Sequence, residues 1–148
     1  KDSKLVSTQY CKPTGAKTLR ELYNPIHHTI QDIIIKHAIK DYHIVVEESF
    51  FQGKANKLHL KLLGLLQYQY EANMSTIAPL SVKKIVTGSG KSDKKAVQDS
   101  LVKLYAHQYY FSKIDWSKND VVDAVAIGVA HIRRTGGKEV CTRKKNCR

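Results

Sequence analysis

The hexapeptide YHIVVE, Tyr42 to Glu47, does most to limit what this chain can become. Ile44, Val45 and Val46 are consecutive β-branched residues, apolar on both faces, and they read as a buried central strand of a sheet. Long segments of helical period flank it. Before it, Leu19, Leu22, Tyr23, Ile26, Ile30, Ile33, Ile34 and Ile35 recur between Thr18 and about Ile39. Pro25 is expected to kink or divide that helix. After it, KANKLHLKLLGLLQYQYEA carries Leu58, Leu62, Leu65 and Leu66 on one side of a second helix. Strands alternating with helices imply an α/β fold with a partly parallel sheet.

The remaining segments fit that class. KLVSTQYC (Lys4 to Cys11) is a short strand candidate ended by KPTG, and STIAPL (Ser75 to Leu80) another, stopped by Pro79. SVKKIV opens a helical turn, and Asp93 to His107 form a helix carrying Val97, Leu101 and Leu104. Asn119 to Arg134 is the cleanest helix: Ser117 is placed to cap it, Val122, Val125, Ala126 and Val129 form its stripe, and Gly136-Gly137 ends it. Leu60 and Leu63 widen the second helix's apolar face beyond what one core needs, so that face either docks a second copy or is fully buried in a monomer. A length of 148 residues fits one domain, over 1–136, with a basic, Gly-led, flexible tail over 137–148.

The charge narrows the partners. Twenty-five Lys and Arg against 13 Asp and Glu give a formal net charge of +12, which attracts polyanions, nucleic acid first among them. An anionic membrane surface would meet the same charge, but no apolar run approaches the roughly 20 residues of a membrane span. Three cysteines, Cys11, Cys141 and Cys147, form no C-x-x-C pair, which argues against a disulfide framework or zinc knuckle and for a reducing cytoplasm.

VTGSGKSDKK, Val86 to Lys95, resembles the end of a P-loop, but the glycine that pattern requires at position 85 is Ile85. No strongly apolar helix follows Ser92 either; Asp93, Lys94 and Lys95 come next. What remains is a flexible, basic loop whose glycines let backbone approach a phosphate and whose Lys91, Lys94 and Lys95 supply charge. A solvated basic turn is the plainer alternative.

Acids are scarce, so their placement matters. Glu47 closes the strand at the carboxyl edge of the sheet, where ligand sites of open α/β sheets gather. Asp120 and Asp123 lie three apart at the start of the last helix, and with a third carboxylate they would make an oxygen-rich nest for Mg²⁺. Two such ions can flank a phosphodiester. Ser117-x-x-Asp120 also fits a capping box, and acids near a helix N-terminus are favoured by its dipole, so both aspartates have an ordinary structural reading as well. Asp123 lies within the apolar DVVDAVAIGVAH and is expected on the helix's inward side, where a charge needs a partner or a purpose.

Three separated segments, IVVEESFFQGKAN, SVKKIVTGSGKSDKKAVQDSL and DVVDAVAIGVAH, follow one another as in RuvC-type Holliday junction resolvases. Over roughly Thr18 to His131 the chain resembles that family, and looks most like the small RuvC-like endonucleases of bacteriophages. The resemblance implies a ribonuclease-H-like fold with a mixed sheet flanked by helices, a homodimer, and Mg²⁺-dependent nicking of paired strands at four-way DNA junctions during recombination. Mn²⁺ would substitute for Mg²⁺, and the setting would be the cytoplasm, that of a bacterial host if the protein is phage-encoded.

Carried over by position, Glu47, Asp120 and Asp123 match the family's catalytic, metal-holding carboxylates, with two ions per site. Phe50 falls where the family has an aromatic beside the junction. Lys83, with Lys84 beside it, and Lys94 match DNA-contacting lysines, and Lys91 and Lys95 extend the set. The family's first strand carries a further aspartate in a Gly-Ile-Asp-like sequence. No such strand precedes Lys1, Asp2 is not assigned that role, and a start other than Met points to a missing upstream segment. The competing readings are a non-catalytic protein that binds branched DNA with an incomplete metal site, and a nuclease acting on RNA–DNA hybrids.

Overall fold

A computed structural model of the chain describes residues 2–3, 11, 14–48, 57–106, 114–136 and 138–139. The chain separates into two compact units, residues 9–76 and the combination of 1–8 with 77–148.

The 9–76 unit is built on two helices, α1 (Leu19–Lys36) and α2 (Lys57–Tyr70), which pack against each other. Their shared core is Leu22, Leu62, Leu66 and Tyr70, with Ile26 and Ile30 half-buried against it. Thr18 starts α1 with a complete capping box: its hydroxyl accepts from the Glu21 amide, while the Glu21 carboxylate accepts from the amides of Thr18 and Lys17. These two backbone amides, Lys17 first, hold the Glu21 carboxyl below its ordinary value. Pro25 lies inside α1 without dividing it. At the far end Ala38 takes φ +47°, and the Ala38 and Ile39 amides donate to the carbonyls of Ile35 and Ile34. That is a Schellman closure with alanine in the seat glycine normally takes.

Strand β2 (Ile44–Glu47) pairs with β3 (Met74–Ile77), which follows a short 3₁₀ turn over Glu71–Asn73. The expectation that this strand is buried is corrected here, while the candidate strand Lys4 to Cys11 lies, but for Cys11, outside the described residues. Ile44, Val45 and Val46 are only half-buried, and among the described residues β2 has β3 alone as neighbour. The apolar face of α2 is likewise divided. Leu62 and Leu66 are buried against α1, whereas Leu60 is 39% and Tyr68 82% exposed.

In the other unit, α3 (Pro79–Thr87), α4 (Lys94–Tyr105) and α5 (Asn119–Arg134) pack against one another. Pro79 opens α3 because the first helical turn has no use for its missing N–H. Gly88 closes α3 at φ +86°, the left-handed conformation glycine adopts without strain. Leu101 from α4 and Val129 with Ala130 from α5 are fully enclosed, each large side chain contributing roughly 1.5–3 kcal/mol of burial. A short parallel pair, β1 (Asp2–Ser3) with β4 (Lys138–Glu139), completes the described part of this unit.

One local expectation fails at the start of α5. The residue before the helix is Lys118, and no side chain caps it. Ser117 instead turns back to Asp115, giving both its hydroxyl and its amide to Oδ1. The Ser117 hydroxyl is the main reason the Asp115 carboxyl is lowered from its ordinary value.

Candidate active site and nucleic-acid face

The buried stripe of α5 is Val121, Val122, Val125, Ala126, Val129 and Ala130. At about 100° per residue, Asp123 stands some 110° from the centre of that stripe and Asp120 nearly opposite it. Asp120 is accordingly exposed, and Asp123 lies on the margin with its side chain 40% exposed. The inward placement expected for Asp123 is thereby corrected. Its carboxylate faces the first turn of α4, where Lys94 Nζ approaches Oδ2 at 3.1 Å.

Glu47 is the last residue of β2 and exposed. It belongs to the 9–76 unit, and the two aspartates belong to the other. Within either unit, among the described residues, no three His, Cys, Asp or Glu side chains gather as an ion-holding group. Taken separately, Glu47 at its exposed strand end and Asp120 with Asp123 at their helix start present carboxylate oxygens, donors of the type a hard divalent cation takes.

The lysines of the glycine loop stand on an organised turn, where the sequence suggested a flexible one. Thr87, the last residue of α3, is its hub. The hydroxyl lies 2.8 Å from the Lys83 carbonyl, 3.0 Å from that of Ser89 and 2.6 Å from the Ser92 hydroxyl. It also accepts from the Ser89 amide at 3.2 Å. Ser89 Oγ in turn accepts from the Lys91 amide. Gly90 runs close to α3, since a Cβ there would lie 3.3 Å from the Leu80 carbonyl. Arg133, from the last turn of α5, donates to the Ile85 carbonyl at 2.8 Å and, less closely, to that of Val86, covering the C-terminal end of α3.

Asp93 then caps α4 by accepting from the Ala96 amide at 2.7 Å. The next two residues are Lys94 and Lys95, and the first turn of α4 holds no acid. A helix N-terminus disfavours cations, so these lysines cost rather than contribute helix stability. Lys84, Lys91, Lys94 and Lys95 are exposed and Lys83 is half-buried.

The structure thus brings Lys94 to Asp123 and orders the loop bearing Lys91, while Phe50 lies outside the described residues. Thr87 and Arg133 were not anticipated. A threonine before Gly-Ser-Gly could have signalled the first, because Thr hydroxyls recur in such turns. Nothing local signals the second.

The sequence profile of the crossover junction endodeoxyribonuclease RuvC family matches residues 3–131. The chain belongs to the RuvC family. It is 30% identical over 115 residues to the crossover junction endodeoxyribonuclease RuvC of Helicobacter hepaticus, covering 74% of this chain and 58% of that protein. With the RuvC of Sulfurovum sp. the identity is 32% over 114 residues, covering 70% and 64%. The chain therefore spans about three fifths of the length of these curated relatives. Among solved structures, that of Thermus thermophilus RuvC aligns over 93% of this chain and 83% of that one, with a TM-score of 0.66 and 21% identity. The fold is thus the ribonuclease-H-like α/β fold that the resemblance implied.

Proposed function

We propose that this RuvC-family protein is a metal-dependent endonuclease that nicks Holliday (four-way) and related branched DNA junctions, with residues 1–136 forming one nuclease domain. The observation that carries the reading is the family match over 3–131, which takes in Glu47, Asp120, Asp123 and the whole lysine set.

Glu47, Asp120 and Asp123 would hold the ions, two Mg²⁺ per site. When bound, the ions supply Lewis acidity toward the scissile phosphodiester. The chain's own cations do the binding. Lys83, Lys84, Lys91 and Lys95 meet successive phosphates, and the Thr87-centred turn fixes where Lys91 and the start of α4 stand. Phe50 stacks on a base at the crossover, a contact worth about 1–3 kcal/mol. The exposed line of Leu60, Gly64 and Tyr68 on α2 supports a homodimer, each protomer serving one of the two nicked strands. No described helix is long and apolar enough to cross a membrane.

The test is a nicking assay with the full-length protein and Mg²⁺ on a synthetic four-way junction, a linear duplex and an RNA–DNA hybrid side by side. Paired nicks confined to the junction are expected. Cutting of the hybrid but not the junction would overturn the substrate, and junction binding without cutting would leave a binding protein in place of the enzyme.

A further inference from the structure

Lys94 sits where it does little for its own helix. It occupies the first position of α4, where the dipole opposes a positive charge, and α4 offers it no acid in that turn. Its ammonium reaches across to α5, 29 residues on, and lies 3.1 Å from Asp123 Oδ2. The pair is open to water, with side chains 59% and 40% exposed. An exposed pair of this kind is weak and readily broken. A lysine at that distance supplies the positive charge that a metal ion would supply, and two cations cannot share one carboxylate oxygen without repulsion.

We infer that Lys94 is the resident counter-charge of Asp123 and competes with the divalent cation for it. Cation binding displaces the ammonium, and the freed Lys94 becomes available to a DNA phosphate. This rests on Asp123 being a metal ligand, and it adds an exchange of partners to that assignment. Metal loading and DNA engagement are then coupled through one side chain. By linkage the coupling is reciprocal: a phosphate that draws Lys94 away leaves Asp123 a better ligand. The exchange also answers an electrostatic problem. Without an ion, the aspartates of α5 stand near one another, and Lys94 neutralises one of them until the cation arrives.

The experiment is a Mg²⁺ titration of the DNA-free, full-length protein, read as the rise in melting temperature with ion concentration, which needs no turnover. Lys94→Gln should bind Mg²⁺ roughly two- to fivefold more tightly than wild type, the weight of one exposed ion pair. Lys94→Arg, which keeps the charge, should bind as wild type does. Asp123→Asn should bind Mg²⁺ more weakly. If Asp123→Asn weakens Mg²⁺ binding but Lys94→Gln leaves it unchanged or weaker, the counter-charge inference is wrong and the metal-ligand assignment stands. If Asp123→Asn binds Mg²⁺ as wild type does, the ligand assignment itself fails and the inference falls with it.

Discussion

Replacing Thr87 with Val tests whether the turn between α3 and α4 is ordered by one hydroxyl. Valine keeps the β-branched shape and removes only the oxygen, so packing in the half-buried site is preserved. A hydroxyl has one proton and two acceptor positions. Here the proton serves the Lys83 or Ser89 carbonyl, and the acceptor side takes the Ser89 amide and the Ser92 hydroxyl. Each hydrogen bond contributes about 0.5–1.5 kcal/mol net, and water reaches this turn, so the combined loss should be about 1–2 kcal/mol. For a chain of this size that lowers the melting temperature by about 3–6 °C. Circular dichroism melts give the magnitude, and amide exchange at Ser89 and Lys91 locates it. Ser92→Ala in the same background should couple to Thr87→Val by about 0.5–1 kcal/mol, because the two hydroxyls are partners. Thr87→Ser should restore most of the stability and the affinity for junction DNA. A Thr87→Val protein that melts with wild type and exchanges Ser89 and Lys91 at wild-type rates would refute the hub.

Three further outcomes are expected. Asp123→Asn in the full-length protein should abolish nicking and leave junction binding within a few fold. Its metal-free melting temperature should change little or fall slightly, because the Lys94 contact, worth about 0–1 kcal/mol, is lost along with the repulsion between acids. Nicking at wild-type rate would remove Asp123 from the site. Ala38→Gly should raise stability by about 1 kcal/mol, since alanine pays for its left-handed φ of +47° and glycine does not; an unchanged melting temperature would show that this closure carries no strain. Glu21 has a folded value depressed by the amides of Lys17 and Thr18. Its contribution is therefore fully present above the ordinary value of 4.5 and lost as pH falls through the folded one. The melting-temperature gap between wild type and Glu21→Gln should close over that acid window, and a gap constant with pH would contradict the capping-box geometry.

What the sequence made legible was the helices. Helical period alone placed α1, α4 and α5 within a few residues, because each buries one apolar stripe. Pro25 does not divide α1, because a proline in a helix removes a hydrogen bond without obliging the chain to stop. The β-branched IVV located β2 correctly, but composition describes only the strand's own side chains and cannot count its neighbours in a sheet. Two look-alike caps show the same limit more finely. Thr18-x-x-Glu21 closes as a box since both side chains have a free partner in reach. Ser117-x-x-Asp120 does not, because Asp115, two residues upstream, takes the serine first.

The candidate site divides along the same line. Its residue types and their order were readable, and they carried the family resemblance that the match over 3–131 bears out. Its electrostatics were not. Asp123 was expected to face inward because valine and alanine surround it in sequence. Yet neighbours in sequence lie about 100° apart on a helix, and the stripe through Val122 and Ala126 leaves position 123 at the edge. An edge position gives the carboxylate solvent access while the helix stays anchored by the residues beside it. It also exposes the carboxylate to whatever a neighbouring helix presents. That neighbour is Lys94, expected from the resemblance to contact DNA, whose ammonium also lies 3.1 Å from the acid. One lysine with two claims on it is a contradiction only if both must hold at once; in succession, metal after lysine and phosphate after metal, they describe an order of events.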